Sequence, residues 1–155
     1  MFPYVRHRAD YIGLDGNPDF VQSNILLKGA ERHFLQVDLR QPVRLSNWEG
    51  PVKADLICSF EVLEHIPEEY AGTVIDSIRA HAHPRTRVYL TVSLKHRLMD
   101  DGHVTVKSRP WWTAKFKSHG FVPCDDSHDM IGQMFTNHPF NWRPFSTHAF
   151  YLRPE

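Results

Sequence analysis

The sequence carries no surplus of either charge, since 18 Lys and Arg face 18 Asp and Glu across its 155 residues. That balance gives no overall electrostatic pull toward nucleic acid or an anionic membrane. Cysteine is nearly missing: Cys58 and Cys124 are the only two, in unrelated segments without metal-ligand spacing. Cys58 stands inside the apolar run Leu56-Ile57-Cys58 and is expected to be a reduced core thiol. No apolar run approaches the length of a membrane span, and the N-terminus has no signal-type apolar region, so the default expectation is a cytoplasmic location. Internal repeats and low-complexity segments are also missing. The first ten residues contain no glycine.

What is present fits one globular domain over residues 1–155, long enough for a real core, with ordinary apolar (41%) and charged (23%) fractions. Residues 1–75 hold 7 basic and 11 acidic side chains, and residues 76–155 the reverse. A solvated surface explains so modest an asymmetry. The 11 histidines are scattered. Only His81-Ala82-His83 is locally paired; before Pro84 it reads as the C-terminal dipole partner of a helix, and no metal site is expected.

Residues 10–15 read as a strand. Asn17-Pro18-Asp19 then supplies an N-cap, a proline at the first helical position and an acid in the first turn of a helix ending near Gly29. Residues 33–39 read as a short strand and 40–52 as a polar loop. The run from Val52 to Phe60 is expected to be the strongest strand, with Asp55 to Phe60 buried on both faces. After a short turn or helix at 61–66, Pro67-Glu68-Glu69 opens an amphipathic helix that Pro84 ends. Strands are expected at 87–94, 121–124 and 145–152, with a helix from Pro110 to Ser118. Residues 125–144 form a long aromatic and Met-rich connection that suits a lid, an acceptor pocket or an association surface. The alternation predicts an α/β fold with a mostly parallel sheet and an antiparallel pair at its C-terminal edge.

In such a sheet, ligands bind beyond the carboxyl ends of the strands. Asp15, Asp38 and the segment Phe60-Glu61-Val62-Leu63-Glu64-His65-Ile66-Pro67 all fall there. A carboxylate is an acceptor-only group suited to the paired donors of a ribose diol, and Asp38 suits an exocyclic amine such as that of adenine. Either acid also serves as a simple turn cap, a reading of about equal weight for Asp15 alone.

Tyr-Ile-Gly-Leu-Asp-Gly-Asn-Pro (11–18), Gln-Val-Asp-Leu (36–39) and Asp-Leu-Ile-Cys-Ser-Phe-Glu-Val-Leu-Glu-His-Ile-Pro (55–67) resemble three successive motifs of class I, Rossmann-like, S-adenosylmethionine-dependent methyltransferases. Gly102-His103-Val104, Trp111-Trp112 and His119-Gly120-Phe121 resemble the later part of the small-molecule branch. The resemblance implies S-adenosylmethionine as cofactor and a methyl acceptor that is a small molecule or a polymer end. The balanced charge and the lack of a long apolar run lead to the expectation of neither nucleic acid nor membrane as partner. The resemblance assigns Asp15 to the ribose hydroxyls, with Gly16 and Asn17 lining that edge. It places Asp38 and Leu39 beside the adenine, and Phe60 and Glu61 at the methionine and methyl side. His65 and His103 are the candidate catalytic bases, although capping or a core hydrogen bond outweighs catalysis for each. Glu64 is expected to face solvent or cap the adjoining helix, and Trp111 and Trp112 to pack in the core.

The family's first, central strand and its glycine-rich cofactor turn have no counterpart, so the resemblance implies an N-terminally shortened domain. A central gap would leave strand backbone unpaired unless the Asp15 strand pairs with the 55–60 strand or a second copy covers it, as in a homo-oligomer. Two functions stay open: a methyltransferase, and a non-catalytic methyltransferase-like binding or assembly protein that has lost the cofactor loop. A nicotinamide-dependent oxidoreductase is a distant third, lacking both the phosphate-binding glycine fingerprint and a Tyr-x-x-x-Lys pair.

Overall fold

A computed structural model describes residues 11–19, 34–94, 102–124 and 149–155. The chain divides into two compact units, Met1–Gln41 and Pro42–Glu155.

In the first unit, β1 (Gly13–Asp15) and β2 (Phe34–Gln36) pair in parallel, Leu14 opposite Leu35. Gly13 permits this approach, because a Cβ there would lie 2.4 Å from the Phe34 ring. The strands are shorter than the sequence predicts. Pro18 and Asp19 are helical, and Asn17 Oδ1 accepts from Asp19 N at 2.9 Å, the cap expected there. The rest of the predicted 17–29 helix lies outside the described residues.

The second unit begins with a small antiparallel hairpin, β3 (Ser46–Asn47) and β4 (Gly50–Pro51), inside the predicted polar loop. A four-stranded sheet follows, built from β5 (Ala54–Phe60), β6 (Ala82–Thr91), β7 (Phe121–Pro123) and β8 (Ala149–Pro154) in the order β5-β6-β8-β7. β5 and β6 run parallel, whereas β8 is antiparallel to both its neighbours. The antiparallel edge is therefore real, and the last strand inserts between β6 and β7.

Helix α1 (Glu68–Ala80) follows β5, with Glu68 and Glu69 in its first turn and Ala71, Val74 and Ile75 buried. It ends before His81, whose Nδ1–H donates to Ser77 O at 2.7 Å while Nε2 accepts from Leu45 N at 2.8 Å. His81 is thus the helix-end partner expected of it. Pro84 does not end the helix; it lies in β6, where the pairing jumps from Ala54–Ala82 to Leu56–Arg87. Such a bulge accommodates a proline because no ladder N–H is needed there. Thr86 closes it, accepting from His83 N at 2.7 Å and donating to Ala54 O at 2.7 Å.

Helix α2 (Arg109–Ser118) starts at the Ser108 cap with a proline in its first turn, as the sequence predicts. It delivers Trp112 and Phe116, four residues apart, to one face. Their rings stack at 5.7 Å, and Phe116 meets Phe150 of β8 edge-on at 5.2 Å. Val88, Leu90 and Val92 project alternately from β6 and its extension into the same core, joined by Ile75, Phe121 and Leu152. Trp111 packs at the border of this core, with Lys107 Nζ 5.5 Å from its ring centroid.

The β5 expectation needs correction. No residue of β5 is buried, and Leu56 and Phe60 are exposed. Among the described residues β5 pairs on one side only, with β6. An apolar run cannot distinguish a doubly covered strand from one with a bare flank. Among the described residues no helix is long and apolar enough to cross a membrane.

The core makes a direct prediction. Trp112 is completely buried, yet its Nε1–H has no hydrogen-bond partner among the described residues. Trp112→Ala is expected to cost about 3–5 kcal/mol. Trp112→Phe should cost much less, because it removes an unsatisfied donor along with volume. Urea unfolding of both variants measures the difference.

Candidate functional site

The carboxyl end of β5 is where the sheet hands over to chemistry. Glu61, the first residue past the strand, has a φ of +51°, a left-handed conformation that a non-glycine residue adopts only under constraint. The constraint is visible: Glu61 N donates to Thr91 O and to Thr91 Oγ1, each at 3.1 Å. The chain then enters a single 3-10 turn, Leu63–His65.

That turn places Leu63 and Glu64 inward and His65 outward. Glu64 neither faces solvent nor caps the helix, as the sequence suggested; it is completely buried. Its Oε1 accepts from Ser93 N at 2.9 Å, and its backbone carbonyl accepts from Val104 N at 2.8 Å and Thr105 N at 2.9 Å. Thr105 Oγ1 donates to Ile66 O at 2.6 Å. The 102–105 segment is therefore fastened to the turn at three points, which brings His103 beside His65. The two imidazoles meet edge-to-face with centroids 4.5 Å apart.

His65 Nδ1 lies 2.9 Å from Gly102 O. A carbonyl only accepts, so Nδ1 carries the proton and, in the neutral ring, Nε2 presents its lone pair. Gly102 adopts a φ of +108°, and a Cβ there would sit 3.3 Å from His65 Nδ1, so this contact needs glycine. Burial pushes the Glu64 carboxyl up to about 7, with nearby Glu61 adding to the rise against the lowering effect of the backbone donors. Glu64 Oε2 and Glu61 Oε1 are buried and receive no N–H donor among the described residues, and the two carboxyl groups are in contact with each other.

Phe60 is partly exposed at the strand end and touches Tyr89 edge-on at 5.6 Å. Cys58 is a free thiol, half-buried, and burial pushes it up to about 11. The expected core position is not met, because β5, which carries Cys58, has no buried residue.

The first unit holds the other cofactor candidates. Asp15 Oδ1 accepts from Asn17 N at 2.7 Å, an Asx turn that leaves Asp15 further acceptor capacity. Gly16 is exposed beside it, and its carbonyl lies 3.5 Å from Gln36 Nε2. Asp38 is engaged by Arg40 through both oxygens, with Nε 2.9 Å from Oδ1 and NH2 2.9 Å from Oδ2. The Arg40 guanidinium holds the Asp38 carboxyl below its usual range. Leu39 is half-buried next to it. The Met-rich 130–142 segment lies outside the described residues.

No family model matches the chain, and no curated protein does. Solved structures do match. A chain of the complex formed around the Haloferax volcanii Trm112 methyltransferase activator aligns over 99% of this chain and 77% of its own, at a TM-score of 0.66 and 15% identity. The O-methyltransferase from a trans-AT polyketide synthase of Brevibacillus brevis, solved with S-adenosylhomocysteine, aligns over 97% of this chain at a TM-score of 0.61 and 13% identity. This chain spans 60% of that structure, and 33% of LepI, solved with S-adenosylmethionine, at a TM-score of 0.54 and 9% identity. The likeness is one of fold: the chain has the α/β, Rossmann-like fold of class I methyltransferases.

The raised Glu64 carboxyl makes stability depend on pH. The folded chain holds a proton that the unfolded chain releases above the ordinary value of 4.5. The Glu64 contribution to stability is therefore greatest below that value and falls as pH rises to about 7, by on the order of 3 kcal/mol. Urea unfolding in chelator-containing buffer at pH 5 and pH 8 should show this fall, and Glu64→Gln should flatten it.

Proposed function

We propose that this chain, with its class I methyltransferase fold, is an S-adenosylmethionine-dependent enzyme that transfers a methyl group to a small-molecule acceptor. The observation that carries the reading is positional. The acid-bearing segments at 15–17 and 38–39 follow the carboxyl ends of the parallel strands β1 and β2, and Phe60-Glu61 closes β5. Ligands of open α/β sheets bind at these strand ends.

On this reading Asp15 takes the ribose hydroxyls through the capacity its Asx turn leaves unused, with Gly16 and Asn17 along that edge. Asp38 turns from Arg40 toward the adenine amine, and Leu39 covers the ring. Phe60 and Glu61 border the methyl side, and His65 and His103 face the acceptor. The cofactor supplies an electrophilic methyl group when bound. The residues of the chain orient it and the acceptor for in-line displacement, where positioning supplies much of the rate. A proton acceptor is needed only for an acceptor atom of high pKa. Function in the cytoplasm, and a second copy lying along the open side of β5, are further parts of the proposal.

One observation favours the alternative of a non-catalytic binding or assembly protein. β5, with exposed Leu56 and Phe60, presents an unpaired flank among the described residues, and such edges recruit partners.

Isothermal titration separates the two readings. The enzyme reading predicts saturable binding of both S-adenosylmethionine and S-adenosylhomocysteine, weakened about tenfold or more by Asp15→Ala, which removes a charge-assisted pair of hydrogen bonds. No binding of either compound would leave the non-catalytic reading.

A further inference from the structure

We propose that Glu64, His65 and His103 form a binding site for one divalent first-row transition cation. This goes beyond the methyltransferase reading and stands without it.

The first observation is geometric. One carboxylate oxygen of Glu64 and one ring nitrogen from each histidine lie within 4.8 Å of one another. Around a cation held at about 2.0–2.2 Å, ligand atoms on opposite sides are roughly 4.2 Å apart and adjacent ones roughly 3 Å. Three ligands cannot all stand opposite one another, so at least two of the pairs must reach the adjacent spacing, closing from within 4.8 Å by up to about 1.8 Å, a shift that side-chain rotation supplies.

The second observation is chemical. Glu64 is completely buried, and its Oε2 receives no N–H donor among the described residues; the Glu61 carboxyl is its neighbour. Two carboxyl groups in contact in a protein interior cannot both stay ionised without a metal ion between them, and otherwise hold a proton there. Its other oxygen is fixed by Ser93 N, so the carboxylate is oriented.

The third observation concerns His65. Its Nδ1–H is committed to Gly102 O, which fixes the tautomer that presents Nε2 as a ligand. Metal-binding histidines are held in this way by a backbone carbonyl behind the ring. His65 is exposed while Glu64 is sealed, so the site has a closed floor and an open entrance. Two imidazoles and a carboxylate suit Zn, Fe, Co or Ni better than Mg or Ca, and leave coordination positions for water or substrate. Glu61, three residues before Glu64, brings a second buried carboxylate oxygen nearby.

The pattern escapes a search for local metal-ligand spacing because 38 positions separate His65 from His103. The backbone bonds from Val104 and Thr105 to Glu64 O bring them together. If the proposed methyltransferase function also holds, a cation here would bind an acceptor oxygen and lower its pKa.

The test is titration of the chelator-stripped full chain with Co2+, followed by visible absorption and calorimetry, with no methyl donor present. One equivalent should bind, with d–d bands that report nitrogen ligation. His65→Ala and His103→Ala should each weaken binding about tenfold or more. His83→Ala, whose ring pairs with Asp55 away from the site, should leave binding within about twofold of the parent. Glu64→Gln should also weaken it; if that variant loses its far-UV circular dichroism, the two histidine variants decide. Failure of Co2+ to saturate, or equal binding by the parent, His65→Ala and His103→Ala, would overturn the proposal. Neither result would touch the methyl-donor reading.

Discussion

The Pro42–Glu155 unit turns on one buried residue. Glu64 holds Ser93 N through its side chain and Val104 and Thr105 N through its carbonyl, so a single turn after β5 ties together the end of β6 and the segment that leads to α2. Without those bonds nothing printed in the local sequence would set His103 against His65. The cost is a carboxylate placed where water cannot reach it, and its proton affinity rises in consequence. Positive φ at Glu61 and at Gly102, on either side of the same cluster, fits the pattern in which strain collects where side chains must be aimed.

The rest of the unit is the platform for this cluster. The parallel pair β5–β6 directs its carboxyl ends to one edge, while β8 closes the other side antiparallel and is locked by Phe150 against Phe116. α2 needs little from elsewhere to form: Ser108 caps it, and Trp112 and Phe116 give it one apolar stripe. The methyltransferase-like fold follows from this order of elements. The cofactor reading adds the acids of the first unit, where local bonds already satisfy part of each carboxylate.

How much of this the sequence discloses depends on the range of the forces involved. Caps, prolines and apolar period are local, so α2, the start of α1 and the Asn17 cap read correctly from residues a few positions apart. His81 also reads correctly, because a helix end is a local electrostatic feature. Pro84 misleads, since a proline ends a helix or sits in a bulge equally well, and only the partner strand decides. β5 misleads because apolar content reports what a strand can bury, not what covers it. Glu64 was legible as an acid in a recognisable motif but not as a buried one. Its burial depends on Ser93, 29 positions away, and on Thr105, 41 positions away. The paired histidines share that limit: each was a candidate alone, and their contact is a product of the fold.

The central proposal is that the strand-end residues bind the cofactor, and the most direct measurement is the backbone amide spectrum of the labelled chain with and without S-adenosylhomocysteine. The account predicts saturable shifts at residues 15–17, 38–39 and 60–61 that share one binding curve. Shifts confined to other residues, or an unchanged spectrum at millimolar ligand, would contradict it.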